Sequence, residues 1–207
     1  MIKERKYVQK IIALILVALT LTACGGKGGV EKFSYNIDDL EISPPTSWEN
    51  RVDGTQRRTA RRVVAKDKID TKRFTIGSTT IDVDELSEAV GDVSSSRGHY
   101  NYDTNVILFT NVENKSEENL ILNLLDSSLK INGKQYKPLV VIDGNYNSDK
   151  LDEKFNGQVT KKVILLVDNL GMRSKKVETV EWNIDAPTDN DGNKVGKDIR
   201  ITIPIRE

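Results

Sequence analysis

The chain has 207 residues, with 31 Lys and Arg against 31 Asp and Glu, a length that carries one large domain or one domain with an extension. Balanced charge gives no global field favouring nucleic acid. One cysteine excludes an internal disulfide and a cysteine-built metal site, and the one histidine, His99, beside Ser96 and Tyr100, reads as a loop residue rather than a catalytic base.

The chain opens on Lys3, Arg5, Lys6 and Lys10, then runs uncharged for 13 residues, 11–23. A membrane-crossing helix needs about 20 apolar residues, so this run suits the apolar region of a secretory signal with its basic end on the cytoplasmic side. It ends in Leu21-Thr22-Ala23-Cys24. These residues resemble the lipobox of bacterial lipoproteins, in which the signal is cut between the positions held here by Ala23 and Cys24. In that family the cysteine thiol carries a diacylglycerol. The resemblance implies a protein anchored by lipid on the extracytoplasmic face of the cell membrane, with Cys24 as the lipidation site, residues 1–23 removed, and no cofactor besides that lipid. Cleavage removes four basic residues and one acidic residue, leaving 27 against 30, a net charge of −3. Residues 24–32 hold glycines at 25, 26, 28 and 29 and read as a flexible tether.

Residues 33–37 alternate apolar and polar as a short strand does, Leu40 and Ile42 continue the alternation, and Pro44-Pro45 ends it. Residues 48–73 are highly charged, with Arg57, Arg58, Arg61, Arg62, Lys66 and Lys68. At 100° per residue these basic groups share one broad face opposite Ala60, Val63 and Val64, which would make a basic amphipathic helix suited to an anionic membrane. The other reading is a solvated face or a long charged loop, favoured by the small apolar face and by mediocre helix formers.

Residues 74–76 and 80–83 read as strand pieces broken at Gly77-Ser78. Asp84 is placed to cap a short helix over 85–90 that stops at Gly91. Residues 92–98 are a Ser- and Gly-rich loop. From Tyr100 the pattern becomes one of short strands and turns: 106–112, 120–125, 129–131, 135–142, 159–167, 177–184 and 199–205. Asn132-Gly133 is the strongest hairpin signal, because both positions of a type I′ turn want φ > 0. Pro138 implies a sheet edge or a bulge.

About seven short strands and no long helix predict an all-β antiparallel sandwich of immunoglobulin-like type, with one short helix. The expected division is an irregular charged N-terminal extension over 33–73 and the sandwich over 74–207. The strand Val106-Ile107-Leu108-Phe109-Thr110-Asn111-Val112-Glu113-Asn114-Lys115-Ser116 is followed, past a further apolar strand, by Leu129-Lys130-Ile131-Asn132-Gly133-Lys134-Gln135-Tyr136. Later, Phe155-Asn156-Gly157-Gln158-Val159 leads into Val163-Ile164-Leu165-Leu166-Val167. Over residues 74–184 this series resembles the Ig-like or telokin-like domains of Gram-positive surface lipoproteins of unknown function; residues 48–73 have no match in it. The resemblance implies no catalytic residues.

Asp189, Asp191 and Asp198 are too few for a calcium loop, since Pro187 stands where its first ligand would be; a hairpin turn explains them. Asp149, Asp152 and Glu153 read as a solvated acidic cluster. Ser94, Ser95 and Ser96 lie near His99 and Asp103 in sequence, without the strained elbow of a nucleophilic serine. The expected function is therefore non-catalytic: a surface lipoprotein held to the membrane by its lipid and binding a surface or membrane protein through loops 143–157 and 185–197. Competing readings are a small-ligand receptor for a transporter, an immunity or inhibitor lipoprotein, and a cell-wall hydrolase. The mature chain is short for a two-lobed receptor, and no carboxylate pair marks a hydrolase.

Overall fold

The computed structural model describes residues 29–44, 46–49, 56–90, 99–145 and 152–205. Ala23, Cys24, the serines at 94–96, Asp149 and the loop 92–98 lie outside these residues. The described chain forms β1 (Val30–Ser34), β2 (Leu40–Ile42), β3 (Thr46–Glu49), β4 (Gln56–Ala65), β5 (Ile69–Asp70), β6 (Phe74–Ile76), β7 (Thr79–Val90) and β8 (His99–Asn114). It continues through β9 (Leu120–Ile121), β10 (Ser128–Ile131), β11 (Lys134–Tyr136), β12 (Leu139–Ile142), β13 (Lys154–Phe155), β14 (Thr160–Val167), β15 (Thr179–Ile184) and β16 (Asp198–Pro204).

These strands make an all-β, mostly antiparallel sandwich with two short 3-10 turns, Ile37–Asp39 and Ser174–Lys176. One sheet has the order β1-β16-β15-β10-β11 and the other β12-β14-β8-β7-β4-β2, with β3 on β4 and β6 on the far end of β8. The pairing of β1 with β16 is parallel. Alternation supplies the core. Ile199, Ile201 and Ile203 of β16 and Val180, Trp182 and Ile184 of β15 are buried, while the residues between them are not. Val106, Leu108 and Val112 of β8 and Val163, Leu165 and Val167 of β14 are buried in the other sheet. Each fully buried side chain of this size stabilises the fold by about 1.5–3 kcal/mol. At one end Phe74 and Phe155 meet edge to face, ring centroids 5.6 Å apart.

Asn132 (φ 50°) and Gly133 (φ 82°) form the expected tight turn between β10 and β11. At Pro138 the chain leaves one sheet and enters the other, so β11 and β12 are both edge strands.

The N-terminal region differs from its expected form. Val30–Ser34 is already strand, so the tether ends before residue 30. Residues 33–73 are not an irregular extension: β1 closes the edge of one sheet, and β2, β3 and β4 build the other. The Arg-rich stretch is neither helix nor loop but β4, ten residues paired along its whole length to β7. Its period is 2, and Thr59, Val63 and Val64 suit a strand. The expected helix at 85–90 is the outer half of β7, where Glu85 and Ser87 continue the buried positions Thr79, Ile81 and Val83. Only Leu120–Ile121 of the expected strand 120–125 is strand. His99 opens β8 rather than sitting in a loop.

Candidate functional site

β8 pairs with β14 from Val106 to Glu113, but with β7 all the way out to His99. The chain after β14 turns away from the sheet at Asn169 (φ 47°) and Gly171 (φ 62°). Two bonds fix the departure: Leu170 N–H donates to the Thr104 carbonyl at 2.9 Å and Asn169 N–H to Asn105 Oδ1 at 3.1 Å. Beyond that point β3, β4, β7 and β8 form a four-stranded arm, with β3 on Arg57–Ala60 of β4, and it carries the exposed apolar side chains Leu86, Val90 and Tyr100.

The register sorts the arm's side chains. Arg57, Ser87 and Tyr102 stand side by side across β4, β7 and β8, and Thr59, Glu85 and Thr104 form the next row. With the 3-10 turn at Ser174–Lys176 they enclose a cleft of about 350 Å³, lined by Arg57, Arg61, Arg173 and Lys175 and by the rings of Tyr100 and Tyr102. Its one lining carboxylate, Glu85, is 4% exposed and accepts the backbone N–H of Ser174, so it anchors the turn. Arg61 donates to the carbonyls of Val177 (3.0 Å) and Ser174 (3.4 Å). The Arg173 guanidinium lies over the Tyr102 ring at 4.6 Å, and its buried Nε has no hydrogen-bond acceptor among the described residues. A planar guanidinium stacked in this way is preorganised to bind a carboxylate or another oxyanion by two parallel hydrogen bonds.

The four arginines singled out in the sequence therefore do not share one face. Arg58 and Arg62 lie on the opposite face of β4 and pair with Asp84 and Asp82; Arg62 is bidentate, with both distances 2.7 Å. Arg57 and Arg61 face the cleft. The helical projection put all four together because it used the wrong period. Arg173 and Lys175 fall between the expected strands 159–167 and 177–184, where no element is expected. The Tyr100–Tyr102–Thr104–Val106 alternation was the available signal that β8 and its inward face extend past Val106.

The other candidates resolve into structural roles. Residues 146–151 of the loop 143–157 lie outside the described residues, but its described part at Lys154 shares one end with the loop 185–197: Thr188 bridges Ile121 of β9, whose neighbour is Lys154 of β13. That end is opposite the cleft. There Asp189 accepts from Asp191 N–H, Asn193 N–H and Asn193 Nδ2, and these bonds, the Asn193 side chain first, hold its carboxyl below the usual range. Asp198 accepts Ala186 N–H. Asp152 pairs with the buried Lys161 at 2.7 Å, which lowers its pKa, and half-buried Glu153, raised chiefly by burial, accepts Leu125 N–H. No group of three metal-ligating side chains occurs among the described residues. His99 and Asp103 are four residues apart on one exposed stretch of β8, a separation of about 13 Å along a strand.

No family model and no curated protein matches the chain. Among solved structures it is similar to an uncharacterized β-sandwich protein from Clostridium difficile 630, at 13% identity and a TM-score of 0.39, over 68% of this chain and 91% of that one.

Proposed function

We propose that this protein is an extracytoplasmic lipoprotein, anchored through a diacylglycerol on Cys24, whose sandwich binds another membrane or surface protein without catalysis. The anchor rests on the basic start, the short apolar run and Leu21-Thr22-Ala23-Cys24. The observation that carries the binding role is the arm: β3, β4, β7 and β8 extended past the end of β14, with a basic and aromatic cleft on one face and exposed Leu86 and Val90. Cationic and tyrosine-rich concave surfaces are typical of recognition sites.

The strand order supports an Ig-like reading. β8, β14 and β12 occupy the places of strands B, E and D, with β7 in the place of A; β10, β15 and β16 occupy those of C, F and G, and β11 that of C′. The buried Trp182 is on the F-like strand rather than C, and no cysteine pair joins the sheets. The telokin-like lipoprotein resemblance belongs to this reading.

The test uses the full lipidated chain in cells. A photo-reactive residue replacing Tyr100 is expected to cross-link one membrane or surface protein, while the same residue replacing Lys134, on the hairpin of the other sheet, does not. Equal labelling at both positions, or none at either, refutes the binding role. Cys24→Ala is expected to leave the precursor uncleaved or to release the protein without lipid; membrane retention with normal processing refutes the anchor.

A further inference from the structure

The outer edge of β8 lacks a neighbouring strand among the described residues between His99 and Asp103. The direction of its backbone groups follows from its bonds. Thr104 C=O accepts Leu170 N–H, and Asn114 N–H donates to Val159 C=O, so the even-numbered residues of β8 aim their peptide groups towards β14. Gly77 N–H donates to Asn111 C=O on the opposite side, as the alternation requires. The register with β7 is unbroken from Thr80↔Phe109 to Val90↔His99, so no bulge reverses this order. The N–H and C=O groups of Tyr100 and Tyr102 therefore point at the open edge. His99, Tyr100, Asn101 and Asp103 are exposed.

This edge continues the line of β14, and the turn at Asn169 and Gly171 clears the place that a longer β14 would fill. Tyr100 and Tyr102 border hollows on both sides of it. On one side is the cleft with Arg173 and Lys175; on the other is a hollow of about 560 Å³ bordered by Leu86, Glu88 and Asp103. A strand laid along the edge alternates its side chains between these two spaces. Five residues of edge, about 17 Å, match a peptide of five to six residues.

Resting on the binding role argued above, we propose that the partner is held by β-strand addition: an extended segment of another protein pairs with β8 at Tyr100 and Tyr102. Its alternate residues carry carboxylates into the cleft of Arg173 and Lys175. Main-chain bonds to the edge supply affinity that is indifferent to sequence, and the basic cleft supplies the acidic alternation. The sign of the second hollow, with Glu88 and Asp103, fixes the register, since a one-residue slip brings the peptide's carboxylates against these two.

The test uses the full lipidated chain in detergent micelles and a fluorescent, end-blocked octapeptide of alternating Glu and Thr. Anisotropy is expected to show saturable binding that weakens at least tenfold between 50 and 500 mM salt, because exposed charges are screened. Arg173→Gln with Lys175→Gln is expected to weaken binding at least tenfold, and a Lys–Thr octapeptide not to bind. N-methylation of the peptide's alternate backbone nitrogens is the decisive arm: one parity abolishes binding and the other is tolerated, because an added strand uses every second N–H. Equal tolerance of both parities overturns strand addition. No binding of the Glu–Thr peptide, binding of heparin in its place, or sedimentation as a dimer lost in Tyr100→Pro also overturns the proposal. If cross-linking at Tyr100 still labels one partner in those cases, the binding role stands without it.

Discussion

Asn114 closes β8 and is fully buried, at 0% exposed. Its Nδ2 donates to the carbonyls of Glu118 (2.7 Å), Phe155 (3.0 Å) and Asn156 (3.2 Å), and its Oδ1 accepts from Ser116 N–H (3.0 Å) and Ser116 Oγ (2.8 Å). One side chain thus ties β8 to the turn after it, to the end of β13 and to the residue that follows. Asn114→Ala removes four or five bonds worth about 1 kcal/mol each net, at a fully buried position. The expected loss is about 3–5 kcal/mol, out of a total stability of about 5–15 kcal/mol. With a urea slope of about 2 kcal/mol/M, the unfolding midpoint falls by about 2 M. A loss under about 1 kcal/mol at unchanged slope refutes the assigned role. Asn114→Asp separates hydrogen bonding from packing. A carboxylate facing the Glu118 and Phe155 carbonyls is tolerated only when protonated, so its folded-state pKa rises above the unfolded value. Relative to the parent, the variant is most stable below the ordinary carboxylate range and loses stability as pH rises through the folded pKa. A pH-independent difference between the two refutes that account.

Gly157 has the carbonyl oxygen of Glu117 2.3 Å from where a Cβ would stand, and the atoms that must move are backbone, so Gly157→Ala is expected to cost more than about 2 kcal/mol in urea unfolding. Gly133→Val, at φ 82°, is expected to destabilise the β10–β11 hairpin by about 1 kcal/mol or more, read as a lower midpoint; no shift refutes the type I′ turn. Burial raises the Glu153 pKa, so its stabilising contribution is complete below the unfolded pKa and is lost as pH rises through the folded one; Glu153→Gln should therefore gain on the parent as pH rises above the ordinary carboxylate range. Asp152 has the opposite sign: Lys161 lowers its pKa, its contribution holds above the ordinary carboxylate range and fails as pH falls, and Asp152→Asn should flatten the acid limb of the stability profile. A double-mutant cycle on Arg62 and Asp82, exposed but bidentate, is expected to give a coupling of about 0.2–1 kcal/mol that shrinks in high salt.

Most of the sandwich was legible because its strands obey period 2 and its turns use residues that tolerate φ > 0. Ile199, Ile201 and Ile203 announce β16, and Asn132-Gly133 announces the hairpin. The reading failed where charge covered the pattern. In β4 the sequence Arg57-Arg58-Thr59-Ala60-Arg61-Arg62 has almost no apolar contrast between its faces. What makes it a strand is non-local: Asp82 and Asp84 on β7 stand opposite Arg62 and Ala60, within reach of Arg62 and Arg58. In β7, Leu86, Ala89 and Val90 mimic a helical stripe, but β8 offers a partner for every residue to Val90, and tertiary pairing overrides the local preference. The cleft was illegible for the same reason. Arg57, Tyr102 and Arg173 are widely separated in sequence, and only the register brings them together.

The proposed lipid anchor and the arm, taken together, imply an orientation. Gly29 lies beside Lys197, and β1 begins opposite Asp198, at the end that carries the loop 185–197. Cys24 is five residues before Gly29, so covalent geometry allows the lipid at most about 18 Å from that end. The arm is at the other end of β8, and the 15 steps from Asn114 to His99 extend about 50 Å. If Cys24 carries the proposed lipid, residues 185–197 are expected near the bilayer, with Tyr100 and the basic cleft held outward, where the proposed extended segment of a partner would reach the cleft without approaching the lipid. This is testable with exposed cysteine reporters, Asp191→Cys near the tether and Glu88→Cys on the arm, in chains reconstituted on neutral liposomes. The lipidated Cys24 is alkylated and silent. A maleimide carrying a polymer of several kilodaltons is expected to label Glu88→Cys at the rate seen without the lipid, in the Cys24→Ala background. Labelling of Asp191→Cys should be slowed at least threefold by the nearby membrane. Equal slowing at both sites means the body lies flat on the bilayer, and slowing at Glu88→Cys alone means the arm faces the membrane. Either result refutes an outward-facing cleft.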